Sequence, residues 1–427
     1  MKFLISLAWK NLSRYRRRTL ITAAAIAVGL GIFIFLDGFL LGVDSESERN
    51  LKLFETGSAQ VQHEEYFAER ENYPLDYVVE APEELLRELD EMGIPATGRT
   101  QFSGEFIVTR DPYAEDGSLF GVVTAIDPET DGRVFDFRGT VVEGRYLEPN
   151  ADEVMLGAWL AESLGAEIGY PITIATRTRT GYYQTIRAEI VGIVDCPSPQ
   201  VNRSTAFIPL ETADYYLEMD GAVTSVALSF SDLTDARERA EEVEEHLGLS
   251  GDTERAAAGV YGPLDILPWQ ELAADYVAIS QMKRSGSGVI LFLIVIIAAV
   301  GITNTMLMAV YERIRELGMM RAMGMGDREV RLTFLLEAGG IGFIGSVLGT
   351  IFGIGLNAFM VYRGLDFTWI LKDMDLGYRV SGVMHGAWHP SAIVGAFFLG
   401  IALSVLIAFI PTRRALKLEI TDCLRHQ

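Results

Sequence analysis

Four apolar runs constrain this chain more than any other feature of it. They cover residues 19–43, 288–311, 333–362 and 391–411. Each meets or exceeds the roughly 20 residues that a helix needs to cross the hydrocarbon core of a bilayer. The first is too long for the apolar core of a cleaved secretory signal, typically about 7–15 residues, so it reads as an uncleaved span. Residues 23–27 are the one place that mimics a small-residue cleavage site.

Charge divides the chain along the same lines. The formal net charge is -22 although 49% of the residues are hydrophobic, a combination ill suited to one soluble core. Residues 44–280 hold 47 acidic against 16 basic side chains, whereas the remainder holds 20 basic against 11 acidic. A strongly acidic insert therefore interrupts a basic, apolar frame. Lys2, Lys10, Arg14, Arg16, Arg17 and Arg18 precede the first run. Arg313, Arg315, Arg321, Arg328 and Arg331 lie between the second and third, and Arg413, Arg414, Lys417 and Arg425 follow the fourth. Short basic flanks are translocated poorly, which predicts cytoplasmic termini and puts the insert and the loop 363–390 outside. The basic clusters have no aromatic platform or folded basic domain beside them, so no nucleic-acid partner is expected.

The predicted fold is an α-helical membrane protein with four transmembrane helices and a large α+β extracytoplasmic domain inserted between the first and second. Residues 1–18 space Phe3, Leu4, Leu7, Ala8 and Leu12 like one helix face, with Trp9 and Tyr15 at headgroup level. That suits an amphipathic helix in the inner interface, the alternative being a plain polar lead-in. Within 44–280, strands are predicted at 58–62, 105–110, 119–126, 154–156, 172–176, 186–193, 206–208 and 224–230, with helices at 82–92 and 233–247. A β-rich subdomain at about 120–220 is expected inside an α+β frame. Residues 312–332 form a cytoplasmic helix and loop, and 412–427 a cytoplasmic tail.

Small residues recur at close-packing spacing in two spans: Ala25, Gly29, Gly38 and Gly42 in the first, Gly345, Gly349 and Gly353 in the third. They let helix backbones approach in a bilayer, either between subunits or within the chain. Asp37, Asn304 and Glu337 are polar residues inside spans. Ion coupling would place acids mid-span with a basic counterpart, whereas Asp37 and Glu337 stand near span ends.

Catalytic patterns are missing. None of the six lysines follows a glycine, so the chain has no P-loop. Five scattered histidines form no zinc motif, and His385 and His389 beside Trp388 suit an outer interfacial loop. No nucleophile elbow occurs, the acidic residues 238–245 suit a solvated helix face, and no cofactor is expected. Cys196 and Cys423 fall on opposite sides of the predicted membrane and cannot pair.

The segment between the second and third runs reads YERIRELGMMRAMGMG over 311–326 and continues DREVRLTFLL. Ile314, Leu317 and Met320 recur every third residue beside Glu312, Arg313, Arg315 and Glu316, predicting a short helix with an apolar stripe. Gly318 and Gly324 remove bulk, so another surface can approach. The bland reading is a basic loop that only fixes topology. Together with LAWKNLSRYRRRTLI near the start and PTRRALKLEITDCLR at 411–425, this segment resembles the FtsX-like permease family, also called MacB-type ABC permeases. GSAQVQHEEYF at 57–67 and the stretch 142–169 are similar to the extracytoplasmic segments of lipoprotein-releasing transmembrane subunits. Tyr170 departs from that pattern, where an acidic residue is usual.

The resemblance implies a non-catalytic permease subunit of the mechanotransmission type. A separate ABC ATPase would dock on a coupling helix formed by Glu312, Arg313, Ile314, Arg315, Glu316, Leu317, Gly318, Arg321, Ala322 and Gly324. It further implies pairing with a second permease copy or a paralogue, contact with membrane lipids, a lipoprotein cargo and a periplasmic carrier. Efflux of a small molecule or peptide, and regulation of a cell-wall hydrolase without transport, are the alternative functions.

Overall fold

The computed structural model describes residues 16–110, 113–114, 118–231, 235–249, 261, 263–312, 314–366 and 383–417. The expected amphipathic helix at 1–18 falls almost wholly outside them, as does Cys423. The chain separates into two compact units, one formed by residues 1–45, 280–370 and 382–427, the other by 46–279 with 371–381.

Among the described residues, four helices are long and apolar enough to cross a membrane: α1 (Arg16–Leu51), α6 (Ala274–Glu312), α8 (Asp327–Arg363) and α9 (Pro390–Ala415). The first three greatly outrun the apolar runs. At 39 residues α6 is about 58 Å long, nearly twice the hydrocarbon thickness. Hydropathy marks where lipid ends, not where the backbone hydrogen bonds do. Ala23, Ile26, Leu30 and Ile34 of α1 pack with Ala338 and Ile341 of α8 and with Ala396 and Ala408 of α9. Along α6, by contrast, Val289, Ile290, Phe292, Ile297 and Val300 are exposed. A run of apolar side chains left exposed like this needs lipid or another chain around it. Beyond the apolar run, Arg284 of α6 pairs with Asp44 of α1, Nε to Oδ2 at 2.6 Å.

The inserted unit is built on strands β1 (Ala59–His63), β2 (Ala96–Arg110), β3 (Leu119–Ile126), β4 (Val141–Gly144), β5 (Glu153–Gly157), β6 (Pro171–Arg177), β7 (Tyr183–Val194), β8 (Thr205–Pro209), β9 (Ser225–Leu228) and β10 (Leu264–Pro268). They pair in the order β10-β1-β9-β2-β3-β8-β5-β7-β4, and β6 pairs with both β2 and β7. That last strand closes β2, β3, β8, β5, β7 and β6 into a ring. Its interior is filled by Phe102, Phe106, Val123, Leu156, Ile172, Ile174, Ile186 and Ile208, each large side chain buried there worth about 1.5–3 kcal/mol.

Helices α3 (Ala158–Leu164) and α4 (Leu210–Leu217) add Leu160, Ala161, Ala213 and Leu217 to that cluster, and on the open end of the sheet α2 (Pro82–Glu91) and α5 (Ala236–Leu247) cover β1, β9 and β10. Pro82 at the first turn and Glu83 and Glu84 behind it suit a helix N-terminus. Leu85 and Leu89, one turn apart, pack with Val243 and Leu247 of α5. The β-rich stretch expected at about 120–220 is thus joined to its frame through one sheet, since β3 inside it pairs with β2 outside it.

Two charged pairs brace this unit. Arg99 of β2 donates from Nε to Asp131 Oδ1 at 2.8 Å, and its guanidinium carbon lies 3.2 Å from the Phe135 ring centroid. Both side chains are almost wholly buried. Burial pushes the Asp131 carboxyl upward and the Arg99 guanidinium downward, each opposed by the other's charge. Burial likewise raises the Cys196 thiol to about 12, which leaves it unreactive.

The second pair lies nearer the surface. Glu153 accepts from both terminal nitrogens of Arg145 and from the Glu148 amide. The Arg145 bonds hold its carboxyl below the usual carboxylate range. The folded value is depressed, so this stability is present above the unfolded carboxylate value and is lost as pH falls through the folded one. Glu153→Gln is therefore expected to flatten the acid side of the unfolding profile below about pH 4.5. An acid limb identical in wild type and variant would contradict this.

Candidate functional site

Between α6 and α8 the chain forms a nine-residue helix, α7 (Ile314–Ala322). It ends in a Schellman turn: Met325 N–H donates to Met320 O at 3.1 Å and Gly324 N–H to Arg321 O at 3.0 Å. Gly324 sits at φ +93°, a conformation that side chains other than glycine rarely adopt. Open space surrounds the position where its Cβ would lie. The glycine serves this turn, and the open space beside it leaves room for another surface.

Gly326 then caps α8 in extended backbone. Its carbonyl accepts from Glu329 N–H at 2.9 Å, and the Glu329 carboxylate accepts the Gly326 N–H at 3.2 Å. Arg321 Nε lies 3.1 Å from Asp327 Oδ1, joining the last turn of α7 to the first of α8. The cation closes one helix C-terminus and the anion opens the next N-terminus, so both dipoles favour the pair.

The faces of α7 are arranged differently from the sequence expectation. Ile314 and Gly318 are buried, and Met320 packs with Met325 against Val330 and Phe334 of α8 and Ala415 and Leu416 at the end of α9. The expected apolar stripe therefore roots the helix in its own chain. Arg315, Met319, Ala322 and Met323, at i, i+4, i+7 and i+8, share the exposed side, with Met323 78% exposed. Met319 and Met323 were not singled out from the sequence; the four-residue spacing from Arg315 is the signal that pairs them with it. Glu316 is half-buried and Glu312 closes α6. Arg313 lies outside the described residues, and the side chains of Glu312 and Leu317 are not among those described.

The small-residue positions face inward except Ala25, which is exposed. A Cβ on Gly345 would lie 2.8 Å from Ile26 Cβ, one on Gly349 2.9 Å from Ala27 Cα, and one on Gly353 2.8 Å from Ile34 Cβ. The glycines of α8 thus meet α1 of the same chain. Gly38 approaches the Asn357 amide, and Gly42 the backbone at His385 and Gly386. Gly29, half-buried, borders an apolar cleft with Leu399 and Leu403 of α9.

Asp37 has a partner that sequence reasoning did not assign: its Oδ2 lies 2.7 Å from His389 Nδ1. Nearby, Asn357 of α8 donates to Ala387 O at 3.1 Å, and Ala387 N–H donates to Gly38 O at 2.8 Å. Residues 385–389 therefore tie the middle of α1, at Asp37 and Gly38, to the last turns of α8 and the start of α9. A polar residue as deeply buried in a span as Asn357 could have flagged this knot. Glu337 is buried, and the side chain of Asn304 is not described. Among the described residues no group of acids, histidines and cysteines could hold a metal ion.

Residues 288–420 match the FtsX-like permease C-terminal domain, and residues 19–246 match the MacB-like periplasmic core domain. The chain is 25% identical over 330 residues to the lipoprotein-releasing system transmembrane protein LolC of Neisseria meningitidis serogroup B, covering 74% of this chain and 75% of that one. It is 23% identical over 290 residues to the protein of the same description from Xylella fastidiosa, covering 66% of each, just under two thirds of that relative's length. The macrolide export ATP-binding/permease protein MacB of Hahella chejuensis is 29% identical over 132 residues, 31% of this chain and 18% of that one. One domain match falls on the helices that bracket α7 and the other on the inserted unit, so the chain belongs to the FtsX-like, MacB-type family of ABC transporter permeases.

Proposed function

We propose that this chain is the transmembrane subunit of an ABC transporter that moves its cargo by mechanotransmission, with ATP hydrolysed on a separate subunit. The observation that carries the reading is the exposed side of α7. Arg315, Met319, Ala322 and Met323 stand out on a short helix whose opposite side is fixed into α8 and α9. Methionine and arginine are favoured at interface cores, and a rooted helix passes on force that a loose loop would absorb.

The ATPase docks on that side in the cytoplasm, with both chain termini there and the inserted domain in the periplasm. A second permease copy or a paralogue covers α6, together with lipid of the inner membrane. Motion then travels along α1 and α6, which continue unbroken past their apolar runs. Near their far ends, Leu51 and Tyr276 pack with Trp269 of the inserted domain. The cargo is an acylated lipoprotein handed to a periplasmic carrier. Support comes from the LolC relatives, which align over far more of this chain than the MacB relative does.

Purification from cells in mild detergent tests the assembly. Wild-type protein is expected to bring down an ABC ATPase and acylated lipoproteins, identified by mass spectrometry. Met319→Glu with Met323→Glu should weaken ATPase retention about thirtyfold or more, the effect of losing a buried interface anchor. Both side chains are exposed, so the fold should survive. Undiminished retention would remove α7 from the interface, and a wild type that recruits no ATPase would sink the transporter reading. A wall hydrolase captured with the ATPase, without lipoproteins, would shift the function to signalling.

A further inference from the structure

Against strands β2, β3, β6 and β7, the inserted domain holds a recess of about 630 Å³, within the size range of small-ligand sites. Strand register builds its floor. Glu105 of β2 stands opposite Phe120 of β3 on one side and Ala175 of β6 on the other, and Arg177 stands opposite Tyr183 of β7. Side chains alternate along strands, so these residues share the face that points away from Phe102, Phe106, Ile172 and Ile174 in the ring. The segment carrying Asn72, Tyr73 and Asp76 forms the facing wall.

Phe120 and Tyr183 are 78% and 82% exposed. Tyr183 does not hang freely, because Arg177 Nη2 donates to its hydroxyl at 2.9 Å and the guanidinium lies 4.8 Å from the ring centroid. The ring is held as a platform at the cost of leaving it in water. Tyr73, on the opposite rim, sits at φ +48°, a left-handed conformation that is strained for a bulky residue and is found where geometry serves a site.

The polar lining decides which ligand chemistry fits. Glu105 and Asp76 stand against Arg177 and Arg179, the latter already paired with Glu80, so the lining offers no net positive charge to draw in a phosphate or carboxylate, and an acyl chain would strip water from those same carboxylates without replacing it. Flat forks that donate (Arg177, Asn72) and accept (Glu105, Asp76, Asn72) match adjacent hydroxyl groups, which are donors and acceptors at once. Exposed rings match the apolar face of a sugar. We propose that this recess binds a short uncharged oligosaccharide, its rings stacked on Tyr183 and Phe120 and its hydroxyls bonded by Asn72, Asp76, Glu105 and Arg177. The site is separate from α7, and its occupancy does not depend on the ATPase reading.

The test is calorimetric titration of the full-length protein, in detergent or nanodiscs, with N-acetylglucosamine tetramer and with maltotetraose. Saturable binding of at least one is expected. Tyr183→Ala and Phe120→Ala should each weaken it about tenfold, the usual effect of removing a stacking ring. Tyr183→Phe should bind within about threefold of wild type, and Trp159→Ala, away from the recess, should bind as wild type does. Both recess rings are exposed, and a thermal melt of each variant confirms that the fold is kept. The proposal is overturned if neither oligosaccharide saturates, if binding survives both alanine changes, or if only an acidic peptide binds.

Discussion

Asp131→Ala is expected to cost the inserted domain about 3–5 kcal/mol of stability, because it leaves the Arg99 guanidinium buried without its counter-charge. The pair is not an exposed one that water could replace: the Arg99 side chain is 4% exposed and that of Asp131 0%. Phe135 and Phe137 stack about the guanidinium, and the Tyr146 hydroxyl beside the pair brings a dipole but no negative charge to replace the one removed. Asp131→Asn keeps the shape and one acceptor and should cost less. Replacing both partners, Arg99→Met with Asp131→Leu, should recover much of the loss, since an apolar pair needs no charge compensation. Pulse proteolysis of the full-length protein across a urea series measures all three. An Asp131→Ala midpoint equal to wild type would show that the pair carries no stability, and a double variant worse than the single would point to lost shape instead of an orphaned charge.

That same pair marks where the sequence stops being readable. Helix α2 and strand β3 stand in the structure essentially where spacing put them, because Pro82, the acids behind it and the leucines at 85 and 89 are local signals, as is the apolar run 119–126. The first half of β2 was not anticipated. Thr97, Gly98, Arg99 and Thr100 look like loop residues, and they are tolerated in a strand because Asp131, thirty-two residues on, answers the arginine. Closure of the ring was equally hidden, since it depends on β6 pairing with a strand some seventy residues earlier. Strand β10 is five residues long, preceded by Pro263 and ending in Pro268, at the sheet edge, too short for alternation to show.

The four spans were legible because lipid imposes a length, but their helix ends were not, because nothing in hydropathy stops a helix at the headgroups. For α7, the helix was legible and its orientation was not. A three-residue apolar repeat says that one side is greasy, and only the packing of Met320 on Val330 and Phe334 shows that this side faces the protein.

Orientation also decides the glycine ladder of α8, which on spacing alone suited contact between subunits as well as contact within the chain. A leucine at Gly349 would place its Cβ 2.9 Å from both the Cα and the carbonyl oxygen of Ala27. Backbone cannot swing aside as a side-chain tip can, so α1 and α8 must separate. Separation also strips Ile26, Leu30 and Ile34 from their partners, in a medium where packing itself is the main force between helices. Gly349→Leu is expected to cost about 3 kcal/mol, the upper part of the usual overpacking range, and Gly345→Leu with Gly349→Leu more. Gly355 supplies the control on the same helix, because no atom lies within 4 Å of the position of its Cβ; Gly355→Leu should be neutral or slightly stabilising. Resistance to unfolding in SDS, read by trypsin cleavage of the monomeric protein, distinguishes the two arrangements. Loss of resistance in the monomer at position 349 but not at 355 is the expected result. A Gly349→Leu monomer as resistant as wild type, with self-association abolished, would instead move the ladder to a contact between two chains.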